Sequence, residues 1–213
     1  MKILTLSDVV LETVYGPQVR TRFRDVDLVV CCGDLPYYYI EYVISNLDKP
    51  TFFVRGNHAH AMEYSELGGR SEPHGGIDLH RRVICHRGLL LAGIEGSLRY
   101  NYGPFQYSQG EMFAFILGMV PELLLNKLRF GRYLDLFVTH APPVGIHDMP
   151  DLPHRGVKAF RWVLKVFKPA YHFHGHIHVY NSATPVKTLF DQTWVVNAYG
   201  YRVLAVDLPQ YKP

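Results

Sequence analysis

The sequence predicts a layered α/β fold, and three observations carry that prediction. Short, largely apolar runs alternate with helix-like segments along most of the chain, as they do where strands are covered on both faces. Polar residues follow several of these runs at once: Gly33-Asp34, Gly56-Asn57-His58, Thr139-His140 and Gly175-His176-Ile177-His178. The chain has 213 residues, 48% of them hydrophobic, enough to bury one substantial core, so a single domain over 1–213 is expected.

Taken in order, residues 3–6 read as a strand, 17–24 as a short helix, 28–32 as a strand and 38–47 as a helix. A strand over 51–54 precedes a loop rich in Gly and His that runs to Gly76. Residues 82–86 and 89–94 form a hairpin turning at Gly88. Residues 111–129 are helical with a break at Gly118 and Pro121, the proline fitting a first helical turn. Strand, helix and strand follow at 134–139, 157–167 and 170–173. The tail holds runs at 186–189, 194–197 and 202–206, spaced as an antiparallel meander.

The residues after the strand-like runs are the informative ones. In an open α/β sheet, ligands bind where strands end. Carboxylate, amide oxygen and imidazole gathered on that edge suit a divalent transition metal. The order Asp8, Gly33-Asp34, Gly56-Asn57-His58, His140, Gly175-His176-Ile177-His178 resembles the calcineurin-like metallophosphoesterase superfamily over almost the whole chain. His140-Ala-Pro-Pro-Val-Gly-Ile-His-Asp148, followed by His154-Arg155-Gly156, resembles its small single-domain members.

The resemblance implies more than the pattern does. It implies two facing mixed β-sheets flanked by helices, a four-layer αββα sandwich with the site at the strand ends. It implies two divalent metal ions, Mn²⁺ first among Fe, Zn, Ni and Co. Asp34 bridges them; Asn57, His140 and His176 complete one metal site, and Asp8 and His178 belong to the other. It further implies hydrolysis of a phosphomonoester or phosphodiester by a metal-bridging hydroxide, with His58 as proton donor to the leaving group and Asn57 stabilising the phosphoryl charge. An imidazole suits that proton transfer.

One position departs from the family. Its first motif is usually Asp-x-His, and here it reads Asp8-Val9-Val10, so the first site loses a ligand and is expected to hold its metal more weakly. Glu12, two residues on, and His60, in the stretch Gly56-Asn57-His58-Ala59-His60, are the two candidates to compensate; the plainer expectation is that both are exposed loop residues. Arg99, after the 89–94 strand, is the expected phosphate clamp, ahead of Tyr100, Tyr102 and Tyr107. His147, Asp148, Asp151 and His154 form a second polar cluster, read either as a capped surface loop or as a rim that shapes substrate access.

Other features narrow the class. The expected partner is a small or nucleotide-like phosphate ester. Arg155, Lys158, Arg161, Lys165 and Lys168 give one helix a basic face, but a net charge of +3 disfavours nucleic acid. The longest apolar stretch, 112–120, is too short to span a bilayer, and residues 1–6 read as a strand and not as a signal peptide. Three cysteines, two of them adjacent, make no disulfide framework, which fits a cytoplasmic location. Two other classes stay open: a non-catalytic scaffold that kept the fold, for which Val10 argues, and a nuclease, which the lack of any accessory domain disfavours.

Overall fold

Strands buried on both faces must be covered on both faces, and two sheets stacked between helices achieve this here. The computed structural model describes residues 1–65 and 68–208. The first sheet runs Gly200–Ala205, Lys2–Ser7, Leu28–Cys32, Thr51–Val54, Ile77–Asp78, parallel throughout except for its antiparallel edge at 200–205. The second runs Lys187–Phe190, Thr193–Asn197, Tyr171–His174, Leu136–Thr139, Leu89–Ile94, Arg82–His86; its four inner strands are parallel and both edges antiparallel.

Alternation along each strand sorts side chains between layers. Leu28, Val30 and Cys32 face the second sheet, where they meet Leu91, Val138 and Phe173. Val29 and Cys31 face outward onto helix α2 (Tyr37–Leu47), which lies beside α1 (Val19–Arg22). On the far side, α3 (Gln109–Phe130) and α4 (Lys158–Val166) cover Ala92 and Phe137 of the second sheet. The order is helices, sheet, sheet, helices, as expected for the four-layer sandwich. Both adjacent cysteines are core residues, and burial pushes the Cys31 thiol up to about 12, so it carries no thiolate.

The hairpin at Gly88 forms because Arg87 and Gly88 both take positive φ, 49° and 86°, the twist of a two-residue primed turn. Two expectations need correction. Helix α3 does not break at Gly118 or Pro121. A Ser108–Glu111 capping box starts it, and the buried stripe Met112, Ile116, Met119, Leu123 continues past the proline, which sits on the solvent side. The tail is not a meander. Thr193–Asn197 pairs with Lys187–Phe190 in the second sheet, whereas Gly200–Ala205 crosses over to pair with Lys2–Ser7 in the first. The 57–76 loop also contains an unforeseen pair of short strands, Glu63–Ser65 and Gly68–Arg70. Among the described residues, no helix is long and apolar enough to cross a membrane.

Candidate metal centre

Five parallel strands from the two sheets end on one edge, and the turns after them carry the candidate residues. Asp8 and Asp34 follow Lys2–Ser7 and Leu28–Cys32; His140 and His176 follow Leu136–Thr139 and Tyr171–His174. Asp8, Asp34 and His176 have φ of 67°, 52° and 67°, a conformation that costs non-glycine residues energy and persists only where surrounding contacts hold it. Glycines make the crowding possible. A Cβ on Gly56 would lie 2.0 Å from Asp34 Oδ1, and one on Gly175 would lie 1.8 Å from Ser7 Oγ.

Asp34, His140 and His176 offer ligand atoms that all lie within 4.8 Å of one another. His140 Nε2 is 3.1 Å from Asp34 Oδ2 and 3.1 Å from Asn57 Oδ1. Two imidazoles are set by backbone carbonyls, which can only accept. His140 Nδ1 donates to Cys32 O at 2.8 Å, which turns Nε2 into the cluster. His176 Nε2 donates to Pro153 O at 2.8 Å, which frees Nδ1 as the ligand atom. Anchored ring nitrogens of this kind are what a metal-binding histidine requires.

The Asp8 side chain is almost fully buried; both its oxygens accept from the His176 N–H, at 3.1 and 3.2 Å, and His178 Nε2 lies 3.8 Å from Oδ1. His178 is itself oriented by Tyr180, whose hydroxyl is 2.8 Å from Nδ1, and by the Tyr199 ring 4.8 Å away. Val10 is half exposed, and Glu12 and His60 are exposed; no contact among the described residues brings either to Asp8.

The electrostatics fit a cation. Burial raises the Asp8 carboxyl, and the nearby Asp34 charge adds to that, so a carboxylate there is undercompensated. Burial would raise Asp34 as well, but the His140 charge and hydrogen bonds from His140 and the His58 N–H bring it down to about 2. Burial would lower His140, yet the Asp34 carboxylate raises it to about 9. A proton on His140 thus sits among the oxygens that a metal would bind. His176, desolvated and beside that charge, is lowered to about 3 and stays neutral. Asp34, Asn57, His140 and His176 therefore fit one divalent ion, and Asp8 and His178, 3.8 Å apart beside the cluster, offer fewer ligands for a second.

His58 is exposed and lines a cavity of about 160 Å³ together with Asp34, Pro36, His60 and Glu63. Arg99 does not join the cluster. It donates to Gln106 O at 3.2 Å and pairs with Glu111 at 3.1 Å. Its neighbour Tyr100 does reach the cluster: Asn57 Nδ2 donates to the Tyr100 hydroxyl at 3.0 Å, which holds the amide with its oxygen toward His140. Gln106, itself buried, fixes this loop by accepting from the Tyr100 and Asn101 N–H groups. Ranking by charge favoured Arg99; only the loop's path picks out Tyr100. Tyr100→Phe is expected to weaken metal binding about tenfold by freeing the Asn57 amide to flip. Calorimetric titration with Mn²⁺ measures this, and unchanged affinity would remove the role.

The remaining polar cluster divides. Asp148 accepts from the Gly145 and Gly156 N–H groups and so closes its own loop. His147 Nδ1 lies 2.8 Å from His174 Nε2, and His174 Nδ1 donates to Gly175 O at 2.9 Å, a buried chain ending beside the His176 turn. Asp151 pairs with His154, whose ring lies 5.4 Å from that of His176 at the rim. On the basic helix face, Arg161 is tied to Val144 O and to the Phe190 ring, and Lys168 pairs with Asp191.

Known proteins share this architecture. One solved structure superposes with a TM-score of 0.64 at 18% identity, covering 99% of this chain and 96% of that one. The protein TT1561 of Thermus thermophilus superposes with a TM-score of 0.63 at 16% identity, covering 93% of this chain and 89% of that one. At such identities the likeness is one of fold. No curated protein matches the chain by sequence. Residues 1–180, which contain every one of the clustered side chains, match the calcineurin-like phosphoesterase family, and the chain belongs to that family.

Proposed function

We propose that the chain is a metal-dependent phosphoesterase acting on a small or nucleotide-like phosphomonoester or phosphodiester. The observation that carries this reading is the convergence of Asp34, Asn57, His140 and His176 from both sheets on one point, with Asp8 and His178 beside it. Divalent cations bound there supply positive charge toward the phosphoryl oxygens and a hydroxide nucleophile at neutral pH. The chain's own residues do the rest. Asp34 places negative charge between the two ligand groups, and Tyr100 and the Cys32 and Pro153 carbonyls hold the ligands in orientation. His58, with no ring partner among the described residues and its N–H fixed by Asp34, holds the proton that the leaving oxygen takes. Arg99 is held away from the cluster by an exposed pair with Glu111 and a bond to Gln106 O. A pair of this kind is worth under about 1 kcal/mol, so little energy opposes its turning to a phosphate.

Metal content of the purified protein, with hydrolysis of chromogenic phosphomonoester and phosphodiester with and without Mn²⁺, tests the proposal. Hydrolysis abolished by chelator and restored by Mn²⁺ supports it. Metal-free protein that stays inactive after Mn²⁺ addition favours the non-catalytic scaffold, the reading to which Val10 points.

The His140–Asp34 pair makes a separate prediction. With His140 raised to about 9, it is protonated at pH 7 in the metal-free protein and must lose that proton to bind a metal. Mn²⁺ uptake at pH 7 is expected to release about one proton, and affinity to rise by up to about tenfold per pH unit until pH passes about 9. Calorimetry in buffers of different ionisation enthalpy counts the protons; none released would sink the assignment. In metal-free protein the same pair stabilises the fold most between the unperturbed values, 3.8 and 6.5. The Asp34 contribution is lost as pH falls toward about 2, and the His140 contribution as pH rises through about 9.

A further inference from the structure

Helix α3 has two apolar faces, and the fold uses only one. Met112, Ile116, Met119 and Leu123 are buried against the second sheet. Leu117, Pro121, Leu124 and Leu128 fall on the opposite side of the helix, and Leu117, Leu124 and Leu128 are 52%, 50% and 82% exposed. Leu125, 45% exposed, extends this face toward a groove of about 370 Å³ that is also lined by Val83 and Phe130. No charged residue interrupts the line. Lys127 is drawn away to Gly131 O and the Tyr133 ring, and nothing lies within 4 Å of where a side chain on Gly118 would begin.

We propose that this face of α3 is a homodimer interface on which a second copy of the chain packs antiparallel across a two-fold axis. The spacing 117, 121, 124, 128 is four, three, four, a coiled-coil seam that reads the same in both directions. A two-fold axis at its centre sets Leu117 against Leu128 and Pro121 against Leu124, so the surface complements itself as an isologous contact must. The open flank at Gly118 lets the two helices approach closely.

The area agrees. The stripe with Leu125 exposes roughly 500 Å², near the upper end for the largest apolar patch of a monomer. Two copies contribute about 1,000 Å², and the groove brings the contact to the lower bound of a stable dimer. A lipid surface is the poorer occupant, because it calls for a basic margin, whereas Glu122 and Arg129 together line the groove beside the stripe.

Sedimentation velocity of the full chain over a wide concentration range tests the proposal. The expected result is a species of twice 24.5 kDa, whose dissociation constant rises at least about 100-fold in Leu124→Glu and in Leu128→Glu, with unchanged circular dichroism. In a Cys85→Ser background, Leu117→Cys combined with Leu128→Cys should form a disulfide between copies on oxidation, and Leu117→Cys alone should not. A monomer at every concentration overturns the proposal, as does a dimer that survives both glutamate substitutions. Cross-linking by Leu117→Cys alone overturns the antiparallel arrangement. A monomer that binds anionic phosphatidylserine vesicles, and loses that binding in Leu128→Glu, would assign the face to a membrane instead.

Discussion

Asp34→Ala is expected to remove bound metal and hydrolysis together, with activity falling at least about 10³-fold. Asp34 is the group on which the cluster depends most. One oxygen accepts from the His58 N–H at 2.8 Å and the other lies 3.1 Å from His140 Nε2. Truncation leaves buried His140 without its hydrogen-bonded carboxylate, so the metal-free variant should also lose about 3 kcal/mol of stability, the cost of removing one partner from a buried pair. Metal content measured by mass spectrometry, turnover, and a denaturant midpoint separate these effects. Full metal occupancy in the folded variant would contradict the ligand role proposed for Asp34.

The second large effect falls on chemistry alone. His58→Ala is expected to reduce kcat by about 10²–10⁴-fold on an ester with a poor leaving group, and much less on a nitrophenyl ester, whose leaving oxygen needs no proton. Metal content should hardly change, because the contact of residue 58 with Asp34 runs through its backbone N–H, which alanine retains. Equal losses on both esters would show that His58 acts otherwise than as proton donor.

How much of this was legible in the sequence depended on whether a feature leaves a mark in residue type. The runs ending at Leu6, Cys32, Val54, Thr139 and Phe173 were legible because both faces of each strand are buried, which makes them largely apolar. The polar residues that follow then stand out, and their order carried the family. The break expected at Pro121 was a local rule overridden by a buried stripe that continues past it. The expected meander failed because 186–206 reads as three similar strands, and only pairing partners reveal that the last belongs to the other sheet. Tyr100 was ranked below Arg99 because charge is visible in a sequence and the path of a loop held by Gln106 is not. The Cys32 and Pro153 carbonyls that orient two imidazoles could not be foreseen, since every residue has a carbonyl.

The crossing after Asn197 has a mechanical consequence. Asn197 Nδ2 donates to Ile177 O, and Ala198 N donates to His174 O, so this corner clasps the turn carrying His176 and His178. Two residues later the chain enters Gly200–Ala205, which runs alongside the strand leading to Asp8. The segment acts as a tie rod between the two sheets, at the rim of the core they share, and it is fastened where the candidate ligands meet. Severing it at Tyr199 would leave the shared core in place while uncoupling the turn that carries His176 and His178 from the strand that leads to Asp8. Such a cut is expected to loosen the candidate metal site before it loosens the core.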